Sequence, residues 1–229
     1  MSPPERRRPS PAGSGLSAAE TSRRYGRYVV AIGLALVALV VADTLLKAPR
    51  GADGIVPGEG IPPFALPLVT GTLEGDANVA THANEGSAGR LPACSVRGPQ
   101  VLNICELYER SPVVLAMFIE GGSCPAVLDE MQALAPAFPG VRFAAVSIKG
   151  ERGALRRLVA AHGLRFPVGF DRDGVLTVLY KVSSCPQVNF VYPGGVVQSR
   201  AMLATPSSAM LRARVRALVV GARARGWRG

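Results

Sequence analysis

Among the 229 residues of this chain, four cysteines are the side chains best suited to do chemistry, and two of them stand where a thiol can be made reactive. The thiolate is the nucleophile, and positive potential at a helix N-terminus lowers the pKa at which it forms. Cys124, followed by Pro125, comes soon after the apolar run Val113–Phe118. It opens a stretch in which Val127, Leu128, Met131, Leu134, Ala135 and Phe138 recur at helical spacing. Cys185, followed by Pro186, precedes a second apolar run over residues 188–192. Cys94 and Cys105 enclose a loop containing Gly98 and Pro99. Three pairings of four cysteines are possible from sequence alone. Gly121 and Gly122, just before Cys124, let backbone approach a sulfur closely.

The other titratable candidates carry less chemistry. His82 lies in a polar stretch and His162 at the end of a helix, without the clustered Cys or His that zinc requires, so neither a metal nor a cofactor is expected. Glu120 is a candidate proton acceptor near Cys124, its alternative being a solvated loop carboxylate. Asp171 and Asp173 fit a turn ending in Gly174 better than a calcium loop, which needs more ligands.

The charge of +10 is concentrated at the ends. Residues 1–27 carry six Arg against two Glu, and residues 212–229 carry six Arg and no acid, while residues 48–211 balance 13 basic against 13 acidic side chains. A balanced body without a recognition motif argues against nucleic acid as a partner. The N-terminal Arg residues instead precede an apolar run over residues 28–46, interrupted by Asp43. Nineteen helical residues at about 1.5 Å each just cross a hydrocarbon core of about 30 Å. The positive flank keeps the N-terminus cytoplasmic and sends the rest outside. The competing reading is a signal peptide cleaved after Val40-Val41-Ala42, which delivers a secreted domain to the same side. Either way the cysteines meet an oxidising compartment.

Boundaries follow from composition. Residues 1–27 read as a disordered basic cytoplasmic tail, 28–46 as the single-pass membrane helix and 47–63 as a Gly/Pro-rich linker. Residues 64–223 form the domain, with an irregular insertion at about 71–100, and 224–229 are a basic tail. Within the domain we expect an edge strand at 64–69 broken by Pro67, and buried strands at Val113–Phe118 and 141–148. Helices are expected after Cys124 and around Leu155, Leu158 and Val159, with Arg152, Arg156 and Arg157 facing away. Residues 175–180 read as a short helix or an extended segment. A hairpin joins 187–192 to 196–202 through Pro193-Gly194-Gly195, and a last helix covers about 207–223.

This order, with Cys124-Pro125, the Asp129-Glu130-Met131 helix, Phe166-Pro167-Val168 and Cys185-Pro186, resembles the thioredoxin-like superfamily. The similarity is to membrane-anchored TlpA-like and AhpC/TSA-like redoxins, over about residues 60–220. It implies an α/β thioredoxin-like fold, a central mixed β-sheet flanked by helices, preceded by a single transmembrane helix. The active-site motif departs from the family. TlpA-like proteins carry Trp-Cys-x-x-Cys; here Cys124 matches the nucleophile and Val127 stands at the resolving position, giving Cys-Pro-Ala-Val. A peroxiredoxin would place Pro and Thr where this chain has Met117 and Gly121.

In the family the proline matching Pro186 is cis and lies against the nucleophile. The resemblance therefore implies that Cys185 comes within disulfide reach of Cys124, whose Cα atoms must approach to under about 7 Å. Cys185 then resolves the mixed disulfide, and Cys94–Cys105 remains as a structural disulfide, its rival reading being an electron relay. The implied function is thiol–disulfide exchange with extracytoplasmic protein thiols or disulfides and a redox partner, run by Cys124, Cys185 and Pro186. Alternatives are a thiol peroxidase and a redox-inactive binding or scaffold domain.

Overall fold

The computed structural model describes residues 28–39 and 54–229. These fall in two units, residues 1–50 and 51–229. In the first, residues 28–39 form helix α1, whose Val, Ile and Leu side chains are 60–69% exposed. The tail at 1–27, the rest of the expected span at 40–46 and linker residues 47–53 lie outside the described residues. Among the described residues no helix is long and apolar enough to cross a membrane.

In the second unit a four-stranded sheet has the order β5 (Val168–Phe170), β4 (Arg142–Ser147), β3 (Val113–Phe118), β6 (Gln187–Val191). β3 pairs parallel with β4 and antiparallel with β6, and β4 pairs parallel with β5. All six β3 residues are buried, as a strand covered on both faces requires. Their alternation splits the core. Val114, Ala116 and Phe118 meet α3 (Ala126–Leu134), α4 (Arg152–Ala161) and α6 (Ser208–Ala224) through Leu128, Met131, Leu155, Leu211 and Val215. Val113, Leu115 and Met117 meet Phe64, Leu66, Ile104, Leu176 and Tyr180 on the other face.

That second face is covered by β1 (Ala65–Pro67) paired antiparallel with β2 (Val101–Asn103), by α2 (Ile104–Tyr108) and by α5 (Val175–Leu179). The expected edge strand is thus part of a separate ribbon, joined to the main sheet by a bridge between Leu68 and Gly169. Asn103 ends β2 and caps α2, its side-chain oxygen accepting from the N–H groups of Cys105 and Glu106. Residues 175–179 settle as helix because Asp171 Oδ2 accepts from the Leu176 N–H at 2.9 Å and Gly174 supplies a left-handed φ of 72°.

Several sequence expectations differ in detail. The returning hairpin arm forms only isolated bridges, Val191 with Val197 and Val188 with Met202. Three steps along β6 match five along the arm, and the two surplus residues break the ladder. Within the expected linker, residues 54–63 pack onto the domain: Ile55 and Ile61 are 5% exposed, Gly60 bridges Val196, and the Tyr180 hydroxyl donates to Pro62 O at 2.7 Å. In the C-terminal tail Trp227 Nε1 donates to Arg110 O at 2.9 Å. Arg152 and Arg156, expected to face solvent, reach back to the start of the insertion. They donate to the carbonyls of Leu68, at 2.7 Å, and Val69, at 3.0 Å. The insertion holds two 3-10 turns, Gly86–Ala88 and Ala93–Ser95, and a Cys94–Cys105 disulfide with Cα atoms 5.3 Å apart ties it to α2.

Asp171, expected as a turn residue, is a buried acid. Asp171 follows β5 with no exposed surface, and burial, together with the neighbouring Asp173 carboxyl, pushes its pKa up to about 7. The N–H groups of Leu176 and Gly174 oppose that rise.

A Cβ on Gly169 would strike Leu66 and Leu102, so Gly169→Ala is expected to lower the urea unfolding free energy by about 1–3 kcal/mol. Cys105→Ala opens the loop whose cysteines lie 11 residues apart and should cost about 3 kcal/mol in the same assay. The unfolded chain releases the Asp171 proton near 3.8, whereas the folded protein holds it up to about 7. Its contribution to stability is therefore fully present below about pH 4 and declines as pH rises towards 7. Asp171→Asn should remove that decline, and urea midpoints measured from pH 4 to 8 check it; parallel curves for both proteins would contradict it.

Candidate active site

Antiparallel pairing of β3 with β6 brings the C-terminal end of one strand to the N-terminal end of the other, with Met117 opposite Gln187. Cys124 lies in the turn leaving β3 and Cys185 in the loop entering β6, so the sheet register places both at the same end of these two strands. They form a disulfide with Cα atoms 5.4 Å apart, and the Cys185–Pro186 peptide bond is cis. The Ile119 N–H, one residue beyond β3, points at both sulfurs, its nitrogen 3.3 Å from each.

The turn before α3 is made by Gly122, at φ 63°, and closed by the Ala126 N–H donating to Ser123 O at 3.3 Å. Pro125 caps α3 from outside and accepts the Leu128 N–H at 2.9 Å. Cys124 is 4% exposed and sits two residues ahead of the first helical residue. Val127 is fully buried in the first turn of α3, so the side chain at the family's second cysteine position serves the core. Across the bond, the Ser184 hydroxyl donates to Leu203 O, fixing the residue before Cys185.

The other sequence candidates are engaged elsewhere. Glu120 Oε2 accepts the Glu151 N–H at 3.0 Å, so the carboxylate offered as a proton acceptor holds the start of α4. His162 Nδ1 lies 2.6 Å from Asp129 Oδ1, and the His82 backbone N–H donates to Glu85. Among the described residues no three His, Cys, Asp or Glu gather as a metal site. The functional group that sequence reasoning missed is the Ile119 N–H. It is a backbone donor placed by the strand end and has no signature in residue type.

No protein-family model matches the chain. It is 31% identical over 77 residues to the thiol-disulfide oxidoreductase ResA of Oceanobacillus iheyensis, a match covering 33% of this chain and 40% of that protein. Among solved structures, a Chlorobium tepidum protein assigned as a thiol:disulfide interchange protein DsbE superposes with a TM-score of 0.54 at 20% identity. It covers 72% of this chain and 99% of its own. The thioredoxin domain of a thiol-disulfide oxidoreductase from Bacteroides vulgatus gives a TM-score of 0.51 at 12% identity, covering 71% and 97%. With its mixed sheet, its flanking helices and this agreement in backbone, the chain has a thioredoxin-like α/β fold.

Proposed function

We propose that this protein catalyses thiol–disulfide exchange through the Cys124–Cys185 bond, acting on protein thiols or disulfides outside the cytoplasm from a membrane anchor that contains α1. The observation that carries the reading is one disulfide between a sulfur at the start of α3 and the sulfur preceding Pro186, with a single N–H directed at both. A donor held at a sulfur stabilises the thiolate released when the bond opens, which favours exchange at this bond. The names of the relatives, thiol-disulfide oxidoreductase and thiol:disulfide interchange protein, agree with this chemistry. Pro186 is buried beside the pair and fixes the backbone that presents Cys185.

Anchoring is supported by the exposed apolar side chains of α1 and by the six Arg residues that precede it. Cys94–Cys105 is read as structural, because it staples the insertion to α2 and adds a constraint to the unfolded chain.

Cys124→Ser and Cys185→Ser should each lower the oxidation of a reduced model dithiol to the uncatalysed background, while Cys94→Ala with Cys105→Ala retains activity at a temperature where the variant is folded. A peroxide-consumption assay separates exchange from peroxidase chemistry: rapid peroxide turnover with no dithiol oxidation would replace this reading. A native chain that oxidises neither the model dithiol nor any thiol above background would instead point to a binding domain.

A further inference from the structure

Exchange at this bond requires a partner to reach one of two sulfurs, and their surroundings are unequal. Cys124 belongs to the core cluster that includes Phe118, Val127 and Val188 and is 4% exposed. Cys185 only packs against that cluster and keeps part of its surface open. The exposed residues next to the two cysteines in sequence are small: Gly121, Gly122 and Ser123 before Cys124, and Ser183 before Cys185. A thiolate attacks a disulfide sulfur along the line of the bond, from the side opposite the sulfur that leaves, so access decides which sulfur is taken.

The leaving sulfur is also distinguished. Cys124 stands at the start of the nine-residue α3, where the helix presents positive potential, while Cys185 lies in the loop between α5 and β6. Once Cys185 is bound to a partner's sulfur, the Ile119 N–H is left to the Cys124 thiolate. The sulfur better able to carry the charge is the better leaving group.

Resting on the exchange reading, we infer that Cys185 is the sulfur that meets the partner and that Cys124 is the buried leaving and resolving group, the reverse of the order expected from sequence. The partner thiolate forms a bond to Cys185 Sγ as the Cys124–Cys185 bond breaks, and Cys124 Sγ departs with the electron pair as thiolate. A second thiolate of the same partner then attacks the partner's sulfur in the mixed disulfide and releases Cys185. The partner leaves oxidised to a disulfide, and its two electrons remain on the reduced cysteine pair. In the opposite direction Cys185 thiolate attacks a partner disulfide and Cys124 displaces the partner from it.

The test uses the full oxidised chain in detergent with reduced glutathione as a monothiol probe. Samples are quenched in acid at early times, free thiols are alkylated, and the modified peptides are mapped by mass spectrometry. Glutathione on Cys185 with the alkyl group on Cys124, exceeding the reverse pattern by about tenfold or more, is the expected result. Glutathione on Cys124 at the earliest times overturns the inference while leaving the exchange reading intact. A bond that forms no mixed disulfide with glutathione, and also fails to oxidise a model dithiol, overturns both.

Discussion

The antiparallel pairing of β3 with β6 is the constraint on which the site depends. Because Met117 faces Gln187, the end of one strand and the beginning of the other are adjacent, and the residues just past them inherit that adjacency. A slip of one residue would turn every β3 side chain to the opposite face. Val114 and Phe118 would exchange places with Leu115 and Met117, and each half of the core would receive the wrong set. Burial of both faces therefore fixes the register, and the register fixes how far apart the two cysteines are. The Cys124–Cys185 bond is held by the packing of a strand that contains neither sulfur.

The same logic explains what was legible in the sequence. Val113–Phe118, the helix after Cys124 and the strand after Pro186 are written as local patterns of apolar residues, and each is found where its pattern lies. The fates of Arg152 and Arg156 are not local. Their spacing places them on the polar face of α4, yet their guanidinium groups satisfy carbonyls of residues 68–71, more than 80 positions away. Residues 54–63 likewise have the composition of a linker, and only partners distant in sequence, such as Val196 opposite Gly60 and Tyr180 at Pro62, make it a packed segment. Asp171 reads as a turn from its neighbours Arg172, Asp173 and Gly174; its burial depends on the end of β5 lying beneath covering structure that no short window of sequence contains.

At the site, residue types pointed to the two sulfurs, and geometry supplied their inequality. A cysteine at a helix start is ordinarily read as the reactive one because of the helix potential. Here that potential acts on a sulfur that is 4% exposed and belongs to a core cluster with Phe118, Val127 and Val188, while its partner keeps part of its surface open. Stabilising a charge and admitting a reactant are separate requirements, and in the proposed exchange they fall on different residues.

Trp227, the chain's single tryptophan, lies at the other end of the molecule's central strand from the cysteines. Its indole N–H is held by the Arg110 carbonyl shortly before β3 begins, and its ring meets the space beside Gly140. Intrinsic emission from this protein is therefore a local optical gauge of how the C-terminal segment closes over the start of β3. A change in the oxidation state of Cys124 and Cys185 has no neighbouring indole to quench, so any spectral response would have to travel the length of the strand.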